Sequence, residues 1–251
     1  MALGELDFIA ILIIGLAYLL AGLSKGAIGF GLPIIAIPLV AIVLPAHIAI
    51  ALTAAPILLS NSYQAFFRAD PVGVIRRFWP LIVAMLIGST IGSQILTRVD
   101  QHTASIIVGV VLLCFVALQG FSIRPEISHR GERILKPIAG MASGLLGGTT
   151  GILGPPFLIL LVALRLPKDA FVGAIGLLYF IGIMPLYVTL VLKGVIARDE
   201  AILSGLVCIP LFAGMFAGAW LRGRISAKVF QRVLLIGIFA IGVNLIRRGF
   251  E

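Results

Sequence analysis

The sequence predicts an all-α integral membrane protein of about ten helical segments, arranged as two inverted five-segment repeats. Three observations predict it. Of 251 residues, 61% are hydrophobic and only 12% charged, about half the charge of an ordinary soluble domain. Apolar runs follow one another along the chain, and the longest polar interval is RPEISHRGER at 124–133, so no separate soluble domain fits. The first half also reappears in the second at an offset of 122 residues, which carries Gly22 onto Gly144.

The runs fall at 6–23, 27–44, 46–67, 74–96, 102–121, 136–147, 152–164, 169–192, 201–221 and 227–246. The opening MALGELDFIA has no basic region and no small-residue cleavage pattern, so the first run reads as a retained helix and not a signal peptide. Most runs have the roughly 20 residues a crossing needs. The runs at 136–147 and 152–164 do not, and 27–44 is interrupted by Pro33 and Pro38. Twelve helical residues reach about 18 Å, against a hydrocarbon core of about 30 Å. Each repeat is therefore expected to open with a glycine-rich pair of short helices of re-entrant form, full spans being the alternative.

The repeat is specific in detail. GLSKGAIG at 22–29 with Pro33 falls on GLLGGTTG at 144–151 with Pro155, and Leu44-Pro45 falls on Leu166-Pro167. With four extra residues, Gly88 and Gly92 fall on Gly214 and Gly218, and Arg98 on Arg224. The chain reads as a single transmembrane domain over 1–251, with repeat 1 at about 6–121, repeat 2 at about 134–248 and a connecting loop at about 122–133. Five segments per repeat, an odd number, turn the second copy upside down. Inverted repeats are the architecture of secondary transporters, whose substrate sites lie where the repeats meet.

Charge sets the orientation. The net charge is +9, with the basic residues at the ends of apolar runs, which points to a membrane face and excludes nucleic acid as partner. Thirteen Lys and Arg residues fall on one side of the predicted topology and five on the other. The richer side is cytoplasmic by the positive-inside bias, and both termini face outward. Cys114 and Cys208 lie singly in apolar runs and offer neither a disulfide framework nor a metal spacing. No cofactor is expected.

Lys25 is the only formally charged side chain between Phe8 and Phe67. On the re-entrant reading, one hairpin tip is expected at Ser24-Lys25-Gly26 and the other at Gly147-Gly148-Thr149-Thr150, the two converging near mid-membrane. The start of a broken helix exposes N–H groups and partial positive charge, a ready anion site. Ser24, Lys25, Gly26 and Gly29 would serve it from one repeat, and Gly148, Thr149, Thr150 and Gly151 from the other. The competing reading makes the glycines close-packing positions between helices and lets Lys25 snorkel to the cytoplasmic face.

Asn61 and Gln64, in the stretch SNSYQ, stand where repeat 2 has the apolar GIMPL. They are expected to line the route, or else to hydrogen-bond between helices. Tyr179 is a candidate substrate contact, whereas Tyr63, Trp79 and Tyr187 read as interface anchors. His47, His102 and His129 stand at segment ends, and no Asp or Glu lies deep in a run, so no buried carboxylate relay is visible.

Two glycine-rich hairpins, each followed by a Leu-Pro-start helix in a basic chain of about 250 mostly apolar residues, resemble the TauE/SafE family of sulfite and organosulfonate exporters. The resemblance covers nearly the whole chain and implies a bacterial inner-membrane transporter for small sulfur-containing anions such as sulfite, sulfoacetate or sulfolactate. It also implies a polar position at Asn61. The departure is Gly147 where Lys25 would stand in repeat 2. The expected function is export of such an anion by alternating access, with the lipid bilayer and a second copy of the chain as candidate partners. A passive anion channel and a structural membrane protein without transport are the alternatives. An enzyme is not expected, since neither HExxH nor an intramembrane aspartate pair occurs, and the adjacent Ser24 and Lys25 make a poor nucleophile–base dyad.

Overall fold

A computed structural model describes residues 7–68, 70–120, 129–221 and 227–250. They form twelve α-helices and no strand. In chain order these are α1 (Phe8–Ile28), α2 (Leu32–Val40), α3 (Ala46–Leu52), α4 (Ala54–Arg68), α5 (Pro71–Leu96) and α6 (Gln101–Gly120). Then come α7 (His129–Thr150), α8 (Pro155–Ala163), α9 (Lys168–Leu192), α10 (Arg198–Leu206), α11 (Cys208–Leu221) and α12 (Ala227–Phe250). Because α3–α4 is one segment interrupted at Thr53 and α10–α11 one interrupted at Val207, twelve helices make ten segments. Among the described residues, five stretches are long and apolar enough to cross a membrane: Phe8–Ile28, Ala46–Phe67, Pro71–Leu96, Ala170–Leu192 and Arg198–Leu221. Most of the connecting loop (121–128), with Arg124, Arg222 and Arg224, lies outside the described residues, so the match of Arg98 to Arg224 has no structural description.

Helix ends follow local chemistry. Asp7 caps α1 by accepting the Ala10 N–H at 2.8 Å, Asp70 precedes Pro71 at the start of α5 and accepts the Val72 N–H at 3.1 Å, and Asp100 accepts the Thr103 N–H at 2.9 Å. Side-chain oxygens there satisfy donors that have no intrahelical acceptor. The Leu-Pro pairs behave alike in the two repeats: the Pro45 carbonyl accepts the Ala49 N–H at 2.9 Å and the Pro167 carbonyl the Phe171 N–H at 2.8 Å.

One sequence expectation is corrected. Each repeat opens with one long helix and one short one, not with two short ones. α1 has 21 residues and α7 has 22, so α7 reaches about 33 Å. α2 and α8 have nine residues each and reach about 14 Å. The sequence placed the hairpin tips at 24–26 and 147–150 because glycine is a poor helix residue in water. Packing overrides that propensity here, as the glycine contacts show.

The chain divides into two compact units, and neither coincides with a repeat expected from the sequence. Unit 1 comprises Met1–Ile57, Val99–Val116 and Lys193–Glu251; unit 2 comprises Leu58–Arg98 and Ala117–Leu192. Within each unit, the long opening helix of one repeat packs on the fourth segment of the other: α1 on α11 in unit 1, α7 on α5 in unit 2. Glycines make both crossings. In unit 1, a Cβ on Gly22 would strike the Leu211 carbonyl, one on Gly26 the Met215 carbonyl, and ones on Gly214 and Gly218 the carbonyls of Leu19 and Leu23. In unit 2, Gly144 and Gly148 stand in the same way against the carbonyls of Met85 and Ser89, and Gly88 and Gly92 against those of Met141 and Leu145. Backbones this close gain dispersion contacts that lipid cannot supply, the usual basis of small-xxx-small packing in membranes.

Unit 2 adds an ionic clamp at one end of its crossing. Glu132, in the first turn of α7, meets Lys136 Nζ at 2.8 Å and Arg77 Nε of α5 at 3.2 Å. Lys136 also donates to the Arg77 carbonyl at 2.8 Å, and both cations lie over the Phe78 ring. Burial alone would push the Glu132 carboxyl up; the hydrogen bonds and charges of Lys136 and Arg77 outweigh it and hold the group below its ordinary value. At the positions the 122-residue offset makes equivalent, unit 1 carries Ala10 and Ile14.

Candidate functional site

The turn between α1 and α2 is residues 29–31, not 24–26: α1 runs unbroken through Ser24, Lys25 and Gly26. Gly29 closes the helix at φ 93°, its N–H bonded to the Lys25 carbonyl at 2.9 Å. Gly31 opens α2 at φ 109°. Both conformations are open to glycine and strained for other residues. Ser24 is fully buried and donates to the Phe30 carbonyl at 3.2 Å, which ties the turn to α1; a Cβ on Gly31 would lie 2.6 Å from Ser24 Oγ. Lys25 is 4% exposed, in the last turn of α1, where helix carbonyls favour a cation. α2 is buried for nearly its whole length, the condition under which irregular backbone is tolerated at membrane depth.

The second turn is 151–154, not 147–150, since α7 continues to Thr150. Gly151 caps α7 as Gly29 caps α1, its N–H bonded to the Gly147 carbonyl at 2.8 Å, and Gly151 and Gly154 both have positive φ. The chemistry then diverges. Thr150 Oγ1 accepts the Ile152 N–H at 3.2 Å and donates to the Leu146 carbonyl at 2.7 Å. Tyr179 Oη accepts the Leu153 N–H at 2.9 Å and donates to the Gly151 carbonyl at 3.5 Å. Ser143 Oγ accepts the Phe157 N–H at 2.9 Å. α8 begins Pro155-Pro156, two residues without an N–H, so its first donor is the one Ser143 takes. At this turn the backbone donors of Ile152, Leu153 and Phe157 are engaged by the protein's own hydroxyls.

The first turn has none of those hydroxyls. At the 122-residue offset, Ser143, Thr150 and Tyr179 correspond to Ala21, Ile28 and Ile57, and Gly31 supplies no side-chain cap to α2. Conversely, Ser24 and Lys25 correspond to Leu146 and Gly147.

The remaining candidates divide. Gly26 and Gly148 face neighbouring helices, as described above. Thr149 Oγ1 donates to the carbonyls of Leu145 and Leu146 at 2.9 and 3.1 Å, the local back-bonding of a hydroxyl within a helix. Asn61 and Gln64 are 3% and 5% exposed and lie where α4 meets Gly176 of α9: a Cβ there would sit 2.7 Å from Gln64 Cβ and 3.0 Å from the Asn61 carbonyl. Tyr179, expected to touch substrate, has its hydroxyl on the second turn and its ring edge-on to Phe157 at 6.0 Å.

Sequence reasoning missed Ser143, whose signal is a hydroxyl one turn before the glycine pair and matched to alanine in repeat 1. It also missed the buried Ser93–Thr189 hydrogen bond between α5 and α9, 2.9 Å long, and Ser204, which bridges the interruption at Thr53.

Among comparisons with known proteins, the family model described as sulfite exporter TauE/SafE matches residues 14–245. No match is found among curated proteins or among solved structures.

Proposed function

The chain belongs to the sulfite exporter TauE/SafE family of membrane transport proteins, and on that premise we propose that it is a secondary carrier that exports sulfite or a small sulfonate such as sulfoacetate by alternating access. The observation that carries the reading is Lys25. It is a cation 4% exposed in an apolar segment, one turn from an irregular stretch of backbone. Intramembrane cations are costly to bury and mark ligand or ion pathways. Ser24 adds a hydroxyl, and α2 starts at a glycine with no side-chain cap, leaving the positive end of its dipole for an anion. Asn61 and Gln64 belong to unit 2, where they are read as lining the route, and Thr149, Thr150, Gly151 and Tyr179 shape the turn there. The carrier is read as lying in a bacterial inner membrane with its basic loops cytoplasmic and both termini periplasmic.

Sulfite should raise the melting temperature of the purified protein, because a ligand that binds only the folded state stabilises it. Lys25→Met, which keeps the stem and removes the charge, should weaken sulfite binding by about 1.5–3 kcal/mol, the range of a charge-assisted hydrogen bond. Unchanged affinity in that variant would remove the basis of the proposal. Saturable flux with counterflow in sulfite-loaded proteoliposomes separates a carrier from a passive channel.

A further inference from the structure

Among the described residues, both interrupted segments, α3–α4 and α10–α11, break inside unit 1, and a hydroxyl from α10 bridges the break in α3–α4. Ser204 Oγ accepts the Ala55 N–H at 2.9 Å and donates to the Leu52 carbonyl at 2.9 Å. In an unbroken helix the Ala55 N–H would pair with the Ala51 carbonyl, and the Leu52 carbonyl with the N–H of residue 56. Residue 56 is proline and has no N–H to give. Ser204 thus stands in for two of the rungs that would cross the break, from a position one turn before the second interruption at Val207. That one also has a proline three residues on, at Pro210, and there Cys208 Sγ donates to the Ser204 carbonyl at 3.4 Å.

The corresponding segment of repeat 2 needs none of this. α9 runs unbroken from Lys168 to Leu192, with Ile175 and Leu178 at the positions equivalent to Thr53 and Pro56. The fourth segment of repeat 1, α5, is likewise unbroken. The chain leaves unit 1 between Ile57 and Leu58, one turn beyond the Thr53 break.

We propose that the Thr53 break is a joint, in which the Ser204 hydroxyl replaces two helix rungs so that α3 and α4 can change their mutual angle without stranding backbone groups. A hydroxyl both gives and accepts and can follow a moving partner, whereas a rung between backbone groups fixes the helix. Buried N–H and C=O groups left unpaired at this depth are costly, so a break without such a bridge would be selected against or straightened. The inference stands whichever anion the protein moves.

The test is hydrogen exchange of the full-length protein in detergent, read at the peptide covering 52–57, with flux of sulfite as a separate arm. Ser204→Ala should speed exchange there by about tenfold or more, the factor expected when a buried group loses its partner. Ser204→Thr, which keeps the hydroxyl, should not. Adding Pro56→Ala to Ser204→Ala should restore protection, because residue 56 regains an N–H and a continuous helix pairs both groups; it should equally restore folding if Ser204→Ala alone folds poorly. Unchanged exchange in Ser204→Ala, or no rescue by Pro56→Ala, overturns the joint. In proteoliposomes, Pro56→Ala alone should slow sulfite turnover by about tenfold while leaving half-saturation unchanged, and turnover equal to wild type overturns the joint as well. A wild-type protein that moves no sulfite speaks against the substrate reading above, and the exchange arm then decides the joint alone.

Discussion

The turn after α1 and the turn after α7 occupy equivalent places in the two repeats, and they use the same backbone device. A glycine with positive φ ends a long helix, its N–H bonded four residues back, and a second glycine with positive φ precedes a nine-residue helix. Their side chains are opposite. Around 151–154, hydroxyls of Ser143, Thr150 and Tyr179 occupy three backbone donors. Around 29–31 those three positions are Ala21, Ile28 and Ile57, and the polar groups are Ser24 and Lys25. Two turns of one backbone geometry thus differ in what surrounds them: hydroxyls engage donors of the second, while the first has a buried serine and lysine beside it.

The contrast can be broken first at what the two halves share. Leucine at Gly22 or at Gly144 drives a side chain into backbone of the facing helix, which no rotamer can avoid, so both variants should fail to yield folded protein by size-exclusion chromatography. The cost exceeds the roughly 1–3 kcal/mol of ordinary overpacking. Leucine at Gly15, where a Cβ meets nothing within 4 Å, should fold normally. A Gly144→Leu variant that folds while Gly22→Leu does not would show that the two crossings are unequal.

The next effect separates the turns. Tyr179→Phe leaves the Leu153 N–H without its acceptor and should destabilise by about 1–3 kcal/mol; Ser143→Ala removes a cap on α8 and should cost about 1 kcal/mol. Chemical unfolding in detergent reads both, with hydrogen exchange at 151–158 locating the damage. Ser24→Ala should cost less, about 0.5–1.5 kcal/mol, since it removes one bond to a carbonyl, while lowering sulfite affinity. Equal stability losses from Ser24→Ala and Tyr179→Phe with no change in sulfite binding would erase the division of labour.

The smallest effect concerns the end of the unit 2 crossing. The Glu132 carboxyl is held below its ordinary value by Lys136 and Arg77. A carboxyl with a depressed folded value contributes stability that is whole above the unfolded value of about 4.3 and is lost as pH falls through the lower folded one. Melting temperature should therefore be level with respect to this group from pH 7 to about 5 and decline below about 4. Glu132→Gln should remove that part of the acid sensitivity and lower stability at neutral pH by a small amount, because Arg77 is half-exposed and its pairing is screened.

Much of this was open to reading from residues alone. Segment number and the all-helical membrane class depend on hydrophobicity along one dimension, and the ten apolar runs of the sequence match ten segments among the described residues. Lys25 stood out for the same reason, as one charge in some sixty residues. Where the helices end was not legible. Gly22, Gly26, Gly144 and Gly148 look like helix breakers by propensity, and the hairpin tips were placed among them. They are helix-packing faces, and what makes them so is the α11 or α5 backbone that sits against them, more than fifty residues away in sequence.

The sequence by itself determined that the chain is a succession of apolar helical segments and which side chain carries charge into them. Only the tertiary structure decided that each unit mixes both repeats, that the glycines serve packing while the turns lie three to five residues further on, and that Tyr179, Ser143 and Ser204 complete backbone hydrogen bonds. The reason is physical: hydrophobicity is a property of each residue, whereas close backbone approach and the pairing of a stranded N–H are properties of two segments that meet only after folding.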